Sequence, residues 1–132
     1  MTFLTLYLIS IPVFIIGDLL WLGVIAKDFY FSRIGDLLLT PPNWYAAVAF
    51  YALFLLGLTF FVIHPGVTAG SLTKVLLTGA FFGLIAYATY DLTSLATLKN
   101  WSLTLTLVDM AWGAFLCAAV SGVTYSLYTL FS

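Results

Sequence analysis

Four stretches of this chain are each about the length of a bilayer-crossing helix, almost wholly apolar, and bounded by charges, Pro-Gly turns or small polar clusters. Lipid offers no water to satisfy a backbone, so segments of that kind close their hydrogen bonds internally as helices. The first runs from about Phe3 to Ala26 and stops at Lys27-Asp28; the second, from about Trp44 to Ile63, stops at His64-Pro65-Gly66. The third begins near Leu72, after Thr68-Ala69-Gly70-Ser71, and continues to about Leu98; the fourth runs from about Ser102 to Leu130. The expectation is an all-α membrane protein, a single domain over residues 1–132. It is a four-transmembrane-helix up-down bundle with spans at about 3–26, 44–63, 72–98 and 102–130. The first segment reads as a true span and not as a signal peptide, because no Lys or Arg precedes Lys27 and the apolar stretch is too long. The connection from Lys27 to Asn43 carries Phe29-Tyr30-Phe31 and Ile34 to Leu39 ahead of Pro41-Pro42, which predicts a short interfacial helix between spans 1 and 2.

Composition removes several classes of function. Hydrophobic residues make up 64% of the chain and charged residues 7%, against about a quarter charged in a soluble domain. A net charge of −1 leaves no basic face for nucleic acid. One cysteine, Cys117, cannot pair internally, and with one histidine, His64, it does not make a zinc site. No metal and no cofactor is implied. Lys27, Arg33 and Lys99 fall on the side of the first and third loops and Lys74 on the side of the termini, so the positive-inside rule favours both termini outside.

Asp18, Asp91 and Asp109 are the informative residues, because a carboxylate inside a span is expensive unless it is paired, neutralised or hydrated. In an up-down bundle their depth can be counted from one shared boundary. Asp18 lies eight residues before Ala26, Asp91 eight before Lys99 and Asp109 eight after Trp101. At 1.5 Å per residue each is roughly 12 Å inside. The same count gathers Trp21, Tyr87, Tyr90, Ser94 and Trp112 around them, with Tyr51 approaching from the second span. An Asp followed three residues later by Trp occurs in both the first span (Asp18, Trp21) and the fourth (Asp109, Trp112), a faint echo of an inverted duplication. Gly79 and Gly83 in the third span, with Gly113, Cys117 and Ser121 and then Ala114, Ala118 and Gly122 in the fourth, form small-residue stripes suited to close helix packing. Trp44 and Trp101, at the starts of spans two and four, fit interface anchors, and His64 marks the end of a span.

Two readings of the carboxylates follow. They can be structural glue, accepting hydrogen bonds from Tyr, Trp, Ser and Thr of neighbouring helices. Alternatively they form, with the aromatic rings, a site that takes up and releases protons and attracts an organic cation. The second makes the chain a homo-oligomer or subunit that binds or moves a small cationic or amphipathic molecule, with the lipid bilayer as its surroundings. A membrane-embedded enzyme or accessory subunit acting on lipids or isoprenoids is the first alternative, with one Asp as general acid or base. A structural subunit whose Asp residues pair with a partner's Lys or Arg is the second.

The segment Ala86-Tyr87-Ala88-Thr89-Tyr90-Asp91-Leu92-Thr93, followed by Leu95-Ala96-Thr97-Leu98, is preceded by Asp18-Leu19-Leu20-Trp21 and followed by Asp109-Met110-Ala111-Trp112-Gly113. With Pro42-Asn43-Trp44 and the turn at Pro65, this pattern resembles a family of small bacterial membrane proteins, domain of unknown function 2177. The resemblance covers nearly the whole chain and implies a four-span protein of the bacterial inner membrane; it implies no activity and no catalytic residue. By architecture the chain is also similar to small multidrug-resistance exporters, which carry an intramembrane acid in the first of four short spans. It departs from them in having no Glu and in placing Asp91 and Asp109 in later spans.

Overall fold

The computed structural model describes residues 2–21 and 44–131. The expected interfacial helix between Lys27 and Asn43, and the last residues assigned to the first span, lie outside them. The described chain is helical: α1 (Thr2–Leu20), α2 (Trp44–Leu58), α3 (His64–Ala69), α4 (Leu72–Thr97) and α5 (Leu103–Phe131). α2 passes into α3 through a π-helical turn at Thr59–Ile63, so Trp44–Ala69 forms one continuous span. Four helical segments are long and apolar enough to cross a membrane: Thr2–Leu20, Trp44–Ala69, Leu72–Thr97 and Leu103–Phe131. The all-α, four-span membrane fold expected from the sequence is therefore the observed one.

The second span outruns its expected end at His64-Pro65-Gly66. A proline lacks the N–H that an interior helical position needs, but Pro65 sits in the first turn of α3, where that donor is dispensable. The π turn just before it resets the ladder, with the His64 N–H donating to the Thr59 carbonyl. The real stop is Gly70, whose left-handed backbone (φ 67°, ψ 33°) lets its N–H reach the carbonyls of Gly66 and Val67. Ser71 then caps α4 by accepting from the Lys74 N–H at 3.1 Å. Spans two and three are thus joined by Gly70 and Ser71 alone. At the opposite end Asn100 (φ 62°) turns the chain, and the Ser102 hydroxyl caps α5 through the Leu105 N–H at 3.0 Å.

α5 is the central helix, packed by α4 along its length, by α1, and by the π turn. The α4–α5 seam is made of missing side chains. A methyl placed on Gly83 would overlap the Gly113 carbonyl, and one on Gly79 would lie 3.0 Å from both the Cys117 carbonyl and the Ser121 hydroxyl. Those glycines and the Cys117 and Ser121 stripe therefore face each other at backbone distance, as small-residue spacing favours in lipid. α1 runs antiparallel to α5. The Tyr128 hydroxyl donates to Thr2 Oγ1 at 3.2 Å near one end, and Trp21 meets Trp112 near the other.

The second span joins this group unevenly. From Phe54 onward one face of it is buried, with Leu55, Leu58, Thr59, Val62 and Ile63 in the core. Between Trp44 and Leu53 no residue is buried. The bundle is consequently tight at the π turn and splayed at the other end, where α2 stands off from α4 and α5. That gap lies at the level of Asp18 and Asp109.

Candidate intramembrane site

The splayed end encloses a cavity of about 480 Å³ whose wall draws on all four spans. α1 contributes Asp18 and the adjoining Trp21, α2 Phe50 and Tyr51, α4 Ala86, Tyr87, Thr89 and Tyr90, and α5 Asp109 and Trp112. The size is that of a small-molecule site, and the wall is mostly aromatic with a few convergent polar groups.

Each side chain arrives by a local rule. The three-residue spacing of Asp18 and Trp21, and of Asp109 and Trp112, puts acid and indole on one face of their helices. When α1 and α5 pack antiparallel the two pairs meet. The indoles stack with centroids 4.3 Å apart and planes 8° from parallel, while both carboxylates turn to the cavity. Tyr51 closes the wall from α2, its hydroxyl donating to Asp18 Oδ2 at 3.1 Å and its ring held between Phe14 (5.2 Å) and Phe50 (5.6 Å). Tyr87 lies flat over Gly113, where any side chain would collide with its ring, and it is within electrostatic reach of both Asp18 and Asp109. Tyr90, more exposed, stands edge-on to Trp101 at 5.7 Å.

Of the residues singled out from the sequence, Asp18, Asp109, Trp21, Trp112, Tyr51, Tyr87 and Tyr90 come together at the cavity. Asp91 and Ser94 do not reach its wall; they lie on the α4 face that packs against α5, continuing the line of Gly79 and Gly83. Asp91 is 1% exposed, and neither carboxylate oxygen has a hydrogen-bond partner among the described residues. Asp109 is the charge that faces it, so Asp91 sits directly behind the cavity wall. Trp101, just before the fourth span, is buried against Tyr90. Trp44 remains exposed, as an interfacial indole would be. His64 lies at the other end of the bundle, edge-on to Phe3 at 5.8 Å and remote from the carboxylates. Among the described residues no three His, Cys, Asp or Glu side chains gather to hold a metal.

Phe50, Ala86 and Thr89 also line the cavity and were not singled out from the sequence. Ala86 precedes Tyr90 by four residues and Thr89 by three, so helical spacing taken from Tyr90 to Ala86 and on to Thr89 could have found them. Phe50 lies in an aromatic-rich run where nothing local separates a wall residue from a lipid-facing one.

No curated protein and no solved structure matches the chain. A family model described as "Predicted membrane protein (DUF2177)" matches residues 3–126, taking in every residue of the cavity wall. The chain thus belongs to this family of membrane proteins, the one its Tyr-Asp-Leu-Thr segment and paired Asp-x-x-Trp turns resemble.

Proposed function

We propose that the chain binds, and in a proton-coupled cycle moves, a small cationic or amphipathic molecule at the intramembrane cavity between its spans. The observation that carries this reading is a cavity of about 480 Å³ with carboxylates from two different helices, Asp18 and Asp109, on an otherwise aromatic wall. An acid at that depth is tolerated when something balances it, and a cationic guest or a proton does so in turn. Tyr87 and Tyr90 offer ring surface to such a cation. The two indoles cover each other's inner faces, so they act as a rigid plate of the wall. Asp91, behind Asp109, is placed to share in the proton exchange.

Binding of a cation in exchange for protons makes affinity rise with pH, by about tenfold per unit for each proton displaced. The test is tetramethylammonium binding to the purified protein in lipid nanodiscs across pH. Affinity should rise with pH in the wild type and fall at least tenfold in Asp18→Asn and in Asp109→Asn, with helicity retained. Equal binding in all three proteins, or none in the wild type, would sink the reading.

A second reading, an enzyme or accessory subunit acting on lipids or isoprenoids, draws support from the exposed side chains of Phe50, Thr89 and Tyr90 on the cavity rim, which turn it toward the bilayer. In either case we place the protein in a bacterial inner membrane with both termini outside, as a homo-oligomer or a subunit of a complex. A cysteine added at Ser132 should then react with a membrane-impermeant maleimide on intact spheroplasts, and protection there would reverse the orientation.

A further inference from the structure

A second concavity lies beside the first, a groove of about 420 Å³ between the second span and α4. Phe61 and Val62 form one bank; Thr78, Phe82 and Ile85 lie on the other, and Ala86 belongs to both groove and cavity. We infer that the guest is a single-chain amphiphile with a cationic head: the head sits between Asp18 and Asp109 and the chain lies in this groove. The inference rests on the reading of the cavity above and adds the chemical class of its ligand.

The two concavities form one lane along α4. Thr78, Phe82, Ile85 and Thr89 follow one another at spacings of three and four residues and so share a face, with Ala86 at the junction. Ala86 is common to the two linings and marks where groove and cavity adjoin. From Thr78 to Thr89 the lane is roughly 16 Å long at 1.5 Å per residue, the reach of an extended dodecyl chain. Phe82 spans the crevice, its ring 3.4 Å from where a Cβ on Gly57 would stand and stacked at 6.4 Å on Phe61, and gives the lane a flat aromatic floor.

Polarity changes sharply along the lane. Its upper end holds two carboxylates and the tyrosines, with no Lys or Arg on the described wall, so the matching head is positive. Its lower end has one polar side chain, Thr78, whose hydroxyl is already donated to the Lys74 carbonyl at 2.6 Å. Ile85 and Phe81 are exposed on the outer side, so a chain can slide in from the bilayer without crossing the bundle. A wholly polar cation would leave the groove unused; a neutral lipid would leave the carboxylates unbalanced.

The experiment uses dodecyltrimethylammonium bearing a diazirine at the chain end, photolysed with the full-length protein in nanodiscs, with labelled residues mapped by mass spectrometry. Label should concentrate at Phe61, Thr78, Phe82 and Ile85. An excess of unlabelled dodecyltrimethylammonium should displace it, and the Asp18→Asn/Asp109→Asn double variant should lose it. Thr78→Trp, which fills the groove, should cut labelling there at least tenfold. Label spread over bilayer-facing Leu53, Leu77 and Phe115 and resistant to displacement would mean annular partitioning only, and overturns the inference. If tetramethylammonium still binds in that case, the cavity reading stands without the groove; if it does not, both fall.

Discussion

Gly83 and Asp91 lie on the same seam and fail in opposite ways when changed. At Gly83 the neighbour is the Gly113 backbone, which cannot step aside, so Gly83→Ala should cost about 1–3 kcal/mol. Gly122→Ala is the control: its added methyl meets the end of the Leu76 side chain, which can rotate away. Thermal unfolding in detergent should show a much larger loss for the first than for the second; equal losses would mean the seam is not held at backbone distance. Asp91 is a buried carboxylate that faces a second one, Asp109, and an apolar replacement of similar size removes the cost of holding the two together. Asp91→Leu should therefore leave the unfolding temperature unchanged or raise it, whereas structural glue would lower it. At this scale the sequence was informative where spacing is local. Small residues four apart and an acid three before an indole fix a helix face whatever the partner. The burial of Trp101 was not legible, because it depends on the left-handed turn at Asn100 and on Tyr90 in another helix, which no local pattern encodes.

Helices meet here through few specific contacts, which makes the elements separable by experiment. The parallel indoles of Trp21 and Trp112 join α1 to α5, a contact worth about 0.5–1.5 kcal/mol beyond burial. They should give an exciton-coupled circular dichroism band that Trp21→Phe abolishes as fully as Trp112→Phe does; a band surviving either change would separate the rings. Within the second span, Thr59 is wholly buried and its hydroxyl donates to the Leu55 carbonyl at 2.8 Å at the entry to the π turn. Thr59→Val should cost about 0.5–1.5 kcal/mol in thermal unfolding in detergent, the range for a typical intramolecular hydrogen bond. Four spans were legible because apolar length is a one-dimensional property. The continuation through Pro65 was not, since a π turn placed just before a proline cannot be told from a helix end by composition.

Across the whole molecule the cavity results from one helix packing along half its length. Among the described residues, the Tyr7 hydroxyl, donating to the Ala52 carbonyl at 3.0 Å, and the Tyr51 hydroxyl, donating to Asp18, tie α1 to the looser part of α2. A Tyr7→Phe/Tyr51→Phe double variant should broaden the electron-resonance distance distribution between spin labels at Tyr45 and Leu103, and an unchanged distribution would show that α2 is held by something else. Depth counting put Asp18 and Asp109 at one level, but it could not show that Asp91, at the same level, points into a helix seam, because depth carries no information about azimuth. The tight end has a different consequence, one for synthesis. With only Gly70 and Ser71 between them, and Val75 packed where a Gly66 side chain would stand, spans two and three have too little chain to enter the bilayer in turn. They must partition from the translocation machinery as a preformed hairpin, so a nascent chain held on the ribosome should feel one pull for the pair where independently inserting spans would each give their own.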